Sequence, residues 1–204
     1  MLEKQEKSYR IRRVSEGFDW SDIACAPIDV YCWCYDYHPR AFAQVVLLEN
    51  QQLRVKMTCY EKNPKADYRQ DGEDVYKDSC LEFFASFSSD DLYINCEMNA
   101  AGASLMSLGR FDGERRPLSE VLGHMPQVLA EVLPECWSVE LRLDVEDIAK
   151  MFPGVRLAPG FCFTGNFFKC GDETEFEHYG MWCRSIAVIP QFHRPQYFGK
   201  LIIE

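Results

Sequence analysis

Short stretches in which apolar and polar positions alternate with a period of two run along most of the chain, and such stretches form strands with one buried face. Gln52–Tyr60 is the clearest. Leu53, Val55, Met57 and Cys59 fall on one face, and Arg54, Lys56 and Thr58 on the other. The bend Glu49-Asn50-Gln51 predicts a hairpin joining it to a buried strand at Phe42–Leu48. Asp78–Phe87 and Asp91–Asn99 repeat the pattern around a Ser88-Ser89-Asp90 turn. Ser8–Val14, Ser104–Phe111, Ser138–Leu143, Gly160–Phe168 and Lys200–Glu204 complete the set. Helical spacing is rare. Pro117–Leu122 predicts a short helix with proline in its first turn, and Asp144–Phe152 predicts one capped by Asp144 and halted by Pro153-Gly154. Many short strands between turn residues predict an all-β fold, a single-domain antiparallel β-sandwich over residues 1–204, jelly-roll-like, with one or two short helices.

Composition narrows the function classes. An apolar fraction of 47% in 204 residues supports a sizeable core. The net charge of −10 argues against a nucleic-acid partner, which needs clustered cations to displace counterions. No stretch approaches the roughly 20 apolar residues of a membrane span. The opening, Met1–Arg13, has basic residues without an apolar run, so no signal peptide and a cytoplasmic location are expected, or a secreted one for a trimmed chain. The ten cysteines form no CxxC pair and are expected as free thiols. Cys80, Cys96, Cys136 and Cys162 lie in apolar or strand-like runs, where a thiol acts as a small hydrophobe. Cys32 and Cys34 with a histidine lack zinc-site spacing. The sequence does not set an oligomeric state.

Candidate chemistry concentrates in two regions. Phe161–Glu204 interleaves rings (Phe161, Phe163, Phe167, Phe168, Phe176, Tyr179, Trp182) with Asn166, Lys169, Asp172, Glu173, Thr174 and His178. Flat apolar faces beside hydrogen-bonding side chains suit a sugar. In the strand Cys80–Phe84, alternation puts Cys80, Glu82 and Phe84 on one face and Leu81 and Phe83 in the core. Asn95, Glu97 and Asn99 line one face of the next strand, as a hydroxyl-binding ladder or as an ordinary solvated face. Arg110 is placed to reach the same face, while Arg115 and Arg116 read as surface charges. Asp71, Glu73, Asp74 and Asp78 cluster at a loop end, as hard oxygen ligands for a cation or as a solvated loop. Asp172 and Glu173 either cap a turn or ligate a cation. Paired carboxylates (Glu82 with Glu97, or Asp172 with Glu173) leave a glycoside-active or sugar-modifying enzyme as the alternative to a binding protein, with His178 and His193 as further acid–base candidates.

The motifs Asp78-Ser79-Cys80-Leu81-Glu82-Phe83-Phe84, Tyr93-x-Asn95-x-Glu97-x-Asn99, Gly165–Glu173 and Phe192-His193-Arg194-Pro195-x-x-Phe198-Gly199 resemble the carbohydrate-binding modules of family 9. The resemblance runs from about Phe42 to the C-terminus. It implies non-catalytic sugar binding: a small sugar or glycan end clamped between two rings, with a carboxylate and an arginine on its hydroxyls. Carried over by position, the carboxylate is Glu82, the arginine Arg110 and the rings Tyr76 and Trp182, joined by Asn95 and Asn99. The xylanase-associated modules carry tryptophan where this chain has Tyr76. The resemblance also implies structural calcium, for which Asp74, Asp78, Asp172 and Glu173 are the candidates.

Overall fold

A computed structural model describes residues 7–33, 36–49 and 51–204, and in it the alternating stretches pair into two facing sheets. In chain order the strands are β1 (Ser8–Val14), β2 (Ala26–Ile28), β3 (Val30–Tyr31), β4 (Arg40–Leu48), β5 (Gln52–Tyr60), β6 (Cys80–Ser86), β7 (Tyr93–Asn99), β8 (Ser104–Gly109), β9 (Arg115–Pro117), β10 (Gln127–Val132), β11 (Trp137–Asp144), β12 (Cys162–Gly171), β13 (His178–Met181) and β14 (Gly199–Ile203). Helices α1 (Leu118–Leu122) and α2 (Val145–Met151) connect them. One sheet runs β10-β11-β5-β4, with β2 beside β4; the other runs β14-β12-β6-β7-β8-β9, with β13 and then β3 added to β12. The hairpin expected around Glu49–Gln51 pairs Leu48 with Gln52, although Asn50 itself lies outside the described residues.

β1 belongs to both sheets. Ser8–Ile11 pairs with β14 and Arg12–Val14 pairs with β4, both in parallel. The sandwich is therefore not antiparallel throughout, as the sequence reading expected. A strand that joins neighbours distant in sequence has no hairpin to impose an antiparallel direction.

Period-two alternation decides which side chains meet. Leu81, Phe83 and Ala85 of β6 and Ile94, Cys96 and Met98 of β7 share the core between the sheets with Leu53, Val55, Met57 and Cys59 of β5. The opposite faces carry Cys80, Phe84, Tyr93, Phe168 and Cys170, which pack with Met181, Phe192 and Phe198 in a second apolar cluster. Every residue of β6 and β7 is buried as a result. Each large apolar side chain so enclosed stabilises the fold by about 1.5–3 kcal/mol. Cys80 and Cys96 do serve as small buried hydrophobes, but Cys136 is half-buried and Cys162 exposed. Asp144 precedes α2 as expected yet makes no cap bond; its Oδ1 accepts from Gln52 Nε2 at 2.8 Å.

A charged group sits inside the sandwich. Lys169 shares its face of β12 with Phe167 and is fully buried. Its Nζ donates to Cys170 O at 2.9 Å, lies 2.6 Å from His178 Nε2 and 3.3 Å from Glu61 Oε2. Glu61 also accepts from Trp137 Nε1 at 3.0 Å, so the ammonium ties β12 to β5 and β11. Burial alone would raise the Glu61 carboxyl, but Lys169 and the Trp137 indole hold it below its ordinary value. His178 is pushed down to about 4 by burial and by Lys169. Asn166 bonds the Cys183 carbonyl at 2.9 Å and its N–H at 2.8 Å. Three polar residues read from sequence as a sugar-facing string are thus internal struts. Among the described residues, no helix is long and apolar enough to cross a membrane.

Candidate functional site

The outer face of the β14–β9 sheet carries a cleft of about 360 Å³. Its floor is the cleft-side register of four strands: Glu82 from β6, Asn95 and Glu97 from β7, Leu105 and Ser107 from β8, and Cys170 from β12. Tyr76, in the helical turn Val75–Lys77, Tyr179 of β13 and Phe192 supply rings at its walls. The Tyr179 and Phe192 rings meet edge to face at 6.1 Å, and Trp33 backs Phe192 at 6.1 Å.

Arg115 enters this cleft from β9. Gly109 of β8 pairs with Tyr93 on one side and Arg115 on the other. A Cβ at Gly109 would lie 2.8 Å from Arg115 Cγ, so the bare glycine lets the arginine stem pass over β8. The guanidinium then lies 4.3 Å above the Tyr93 ring, a favourable cation–π position. Nε donates to Asn95 Oδ1 at 3.1 Å, and Nη2 bonds the same oxygen and the Ser107 carbonyl at 3.3 Å. Nη1 is buried without a hydrogen-bond partner among the described residues. A buried unpaired donor is costly, and a ligand oxygen in the cleft would satisfy it.

The acidic groups behave differently from surface carboxylates. Glu82 and Glu97 face each other across the β6–β7 pairing. Burial raises Glu97 to about 7, against the hydrogen bond from Asn95 Nδ2 at 2.8 Å and the pull of Arg115. Burial, then Cys170 and Glu97, raise Glu82 well above its ordinary range. Asp172 is lifted to about 6 by burial and by Glu177. Burial and Arg115 push His193 down to about 4, so it is neutral near pH 7, with Nδ1 2.9 Å from the Tyr93 hydroxyl. The cleft therefore presents a fixed cationic fork, carboxyl groups able to donate as well as accept, and apolar rings. That set matches a neutral ligand rich in hydroxyl groups.

Of the sequence-derived candidates, Tyr76, Glu82 and Asn95 meet in the cleft. Asn99 lies elsewhere: its Nδ2 donates to Tyr68 O at 2.8 Å and Asp78 Oδ2 at 3.0 Å, and its Oδ1 accepts from the N–H groups of Ala101 and Ala103 at 3.1 Å. Arg110 follows the end of β8 and pairs on the surface with Asp90 at 2.8 Å and with Asp91. Arg115, read as a surface charge, occupies the cleft instead. Trp182 is a core residue, 3% exposed, its ring 5.4 Å from Phe167. The reason is parity. Tyr179 and Met181 sit opposite Cys170 and Phe168 on the cleft side, which turns residues 178, 180 and 182 towards the core. Reading His178–Met181 as a strand would have singled out Tyr179.

The four carboxylates named for calcium are compensated or dispersed. Asp74 and Glu173 flank Lys77 at 3.2 and 3.6 Å, and Asp78 lies 3.6 Å from Lys65 while accepting from Tyr68 N–H at 3.0 Å. Asp172 lines the cleft. Among the described residues, no three of these four carboxylates bring oxygen atoms within 4.8 Å of one another. Asp71 and Glu73 brace their loop, accepting from Ser104 N–H at 2.9 Å and from Arg69 and Gln70 N–H at 2.8 Å. Cys32 is half-buried beside Trp33, and Cys34 lies outside the described residues.

The family model of carbohydrate-binding family 9 matches residues 13–203. No curated protein matches the chain. A candidate carbohydrate-binding protein from Bacteroides uniformis is 28% identical, with a TM-score of 0.85 over 98% of this chain and 100% of the other. A family 9 carbohydrate-binding module from Caldicellulosiruptor kristjanssonii, solved with glucose, is 12% identical with a TM-score of 0.68, over 97% of this chain and 96% of that one. The same holds for its cellotriose complex, over 97% and 94%. At that identity the likeness is one of fold. The match over nearly the whole sequence carries more: this chain belongs to carbohydrate-binding family 9.

Proposed function

We propose that the cleft is a non-catalytic carbohydrate site that takes a small sugar or the end of a glycan. The observation that carries this reading is the buried, unpartnered Nη1 of Arg115, held beside Asn95, Glu82 and Glu97 in an aromatic-walled cleft. The volume of about 360 Å³ falls at the small end of the roughly 300–1,000 Å³ typical of ligand sites. Arg115 Nη1 donates to one ring hydroxyl, the Glu82 and Glu97 carboxyls exchange hydrogen bonds with its neighbours, and Tyr76, Tyr179 and Phe192 cover C–H faces. The family resemblance implies a tryptophan in xylanase-associated modules where this chain has Tyr76, so weaker stacking is expected here. Affinity falls in the micromolar-to-millimolar range once ordering costs are met.

The test is calorimetric titration with a panel of mono- and oligosaccharides, beginning with glucose and cello-oligosaccharides because family 9 modules have been solved with glucose and cellotriose. Saturable binding of one sugar class, lost in Arg115→Ala, is the expected result. No heat from any sugar, with no thermal shift in the native chain, would overturn it. Glycoside hydrolysis, the other use of a facing glutamate pair, needs one ionised and one protonated carboxyl. Here burial raises Glu97 to about 7 and Glu82 well above the ordinary carboxylate range, so assay decides between the two uses of the pair. Release of a chromogenic aglycone, abolished by Glu97→Gln, would reverse the choice.

A further inference from the structure

At the cleft floor, two thiols to which the sugar reading gives no role meet the Glu82 carboxyl. Cys80 of β6 and Cys170 of β12 are direct cross-strand partners. Glu82, two residues along β6 from Cys80, projects from the same face and stands diagonal to Cys170. Cys80 Sγ, Cys170 Sγ and a Glu82 carboxylate oxygen all lie within 4.8 Å of one another, with 2.9 Å between Cys170 Sγ and Glu82 Oε1. The three residues are 0%, 2% and 2% exposed for Cys80, Cys170 and Glu82. Among the described residues, no other group of three or more histidine, cysteine, aspartate or glutamate side chains converges in this way.

We infer that Cys80, Cys170 and Glu82 form a binding site for a thiophilic divalent cation of the zinc class. Zinc sits about 2.3 Å from thiolate sulfur and about 2.0–2.2 Å from a carboxylate oxygen, a reach that fits three donor atoms this close together. Sulfur donors select such an ion over calcium or magnesium, which prefer oxygen cages. The metal-free arrangement is poorly compensated: a buried carboxyl relies on a thiol, a weak donor, for its hydrogen bond. Binding forms two metal–sulfur bonds and one metal–oxygen bond, and releases the two thiol protons and any carboxyl proton to solvent. Glu82 and Cys170 line the cleft while Cys80 lies behind them, so the ion enters from the cleft. Its fourth position faces there, open to water or a ligand hydroxyl. This inference does not rest on the sugar reading, since a chain that binds metal and no sugar would still uphold it.

The experiment is anaerobic titration of the reduced full chain with Co²⁺, followed by displacement with Zn²⁺. The expected result is a sulfur-to-cobalt charge-transfer band saturating at one ion per chain. Cys80→Ser and Cys170→Ser should each abolish it, and Glu82→Gln should weaken binding tenfold or more. X-ray absorption on the unmodified zinc-loaded chain is then expected to show two sulfur neighbours at about 2.3 Å, a readout independent of how the variants fold. Absence of the band, its persistence in either serine variant, or a shell with no sulfur or four sulfurs would each overturn the inference.

Discussion

Arg115 and Arg110 differ by five positions, and the difference decides which of them serves the cleft. Arg110 pairs with Asp90 and Asp91 in the exposed turn after β8, where ion pairs are worth little. Arg115 spends its length crossing β8 above Gly109 and presents an unpaired buried donor. Arg115→Ala is expected to weaken sugar binding tenfold or more, and Arg110→Ala by less than twofold, both measured by titration calorimetry. Arg115→Lys should fall between them, since a lysine keeps the charge but not the planar fork. Gly109→Ala tests the route itself. A methyl group there meets Glu114 O at 2.7 Å as well as the Arg115 stem, so binding should fall towards the level of Arg115→Ala. Unchanged affinity in Gly109→Ala would mean that the arginine reaches the cleft by another path. None of this was legible in the sequence. Glu82 and Asn95 could be placed by counting along single strands, whereas Arg115 depends on a neighbour three strands wide and on the missing side chain between.

At the scale of elements, the strands that announced themselves most plainly were those whose alternation is unbroken, β5 and β7. β13 stayed hidden because it is four residues long and contains a glycine and a histidine. Reading that strand from the sequence puts Tyr179, not Trp182, on the cleft face. Without it, His178 and Lys169 stay among the ligand-facing residues, although they meet inside the sandwich. Breaking this internal network by Lys169→Met leaves Glu61 buried without its ammonium, which should cost about 3–5 kcal/mol in denaturant unfolding. The double variant Lys169→Met with Glu61→Leu should recover much of that loss, because the charge needing a partner has gone. His178 adds a pH signature. Its folded value of about 4 lies below the ordinary 6.5, so its contribution is complete above about pH 6.5 and is lost as the pH falls through about 4. Between pH 7 and pH 4 the native chain should lose on the order of 3 kcal/mol relative to His178→Asn. Parallel stability curves for the two proteins across that range would show that the imidazole is not held neutral by its surroundings.

For the whole molecule, the question is what keeps two sheets in register when the hairpins operate within each sheet. β1 supplies a continuous link, pairing with β14 through Ser8–Ile11 and with β4 through Arg12–Val14. The crossing leaves a gap along β4, between Ala41–Ala43, which pair with β2, and Val46–Leu48, which pair with β1. Tyr9 fills it. Its hydroxyl accepts from Val45 N–H at 3.1 Å and donates to Ala24 O at 2.6 Å, while its ring packs edge to face on Phe167 at 6.5 Å. A single side chain on one sheet thereby satisfies two backbone groups belonging to the other layer. Tyr9→Phe keeps the ring and removes only the oxygen, so it isolates the hydrogen bonds from the packing. Each backbone group left unsatisfied in a buried site costs about 1–3 kcal/mol, and the pair should destabilise the fold by about 2–4 kcal/mol in urea unfolding. The slope against urea should stay unchanged, because the surface exposed on unfolding is the same. The cleft lies on the far face of β6, β7 and β8, away from β1, so sugar affinity in folded Tyr9→Phe should match the native chain. A fall in affinity would instead mean that the join between the sheets also sets the shape of the cleft floor.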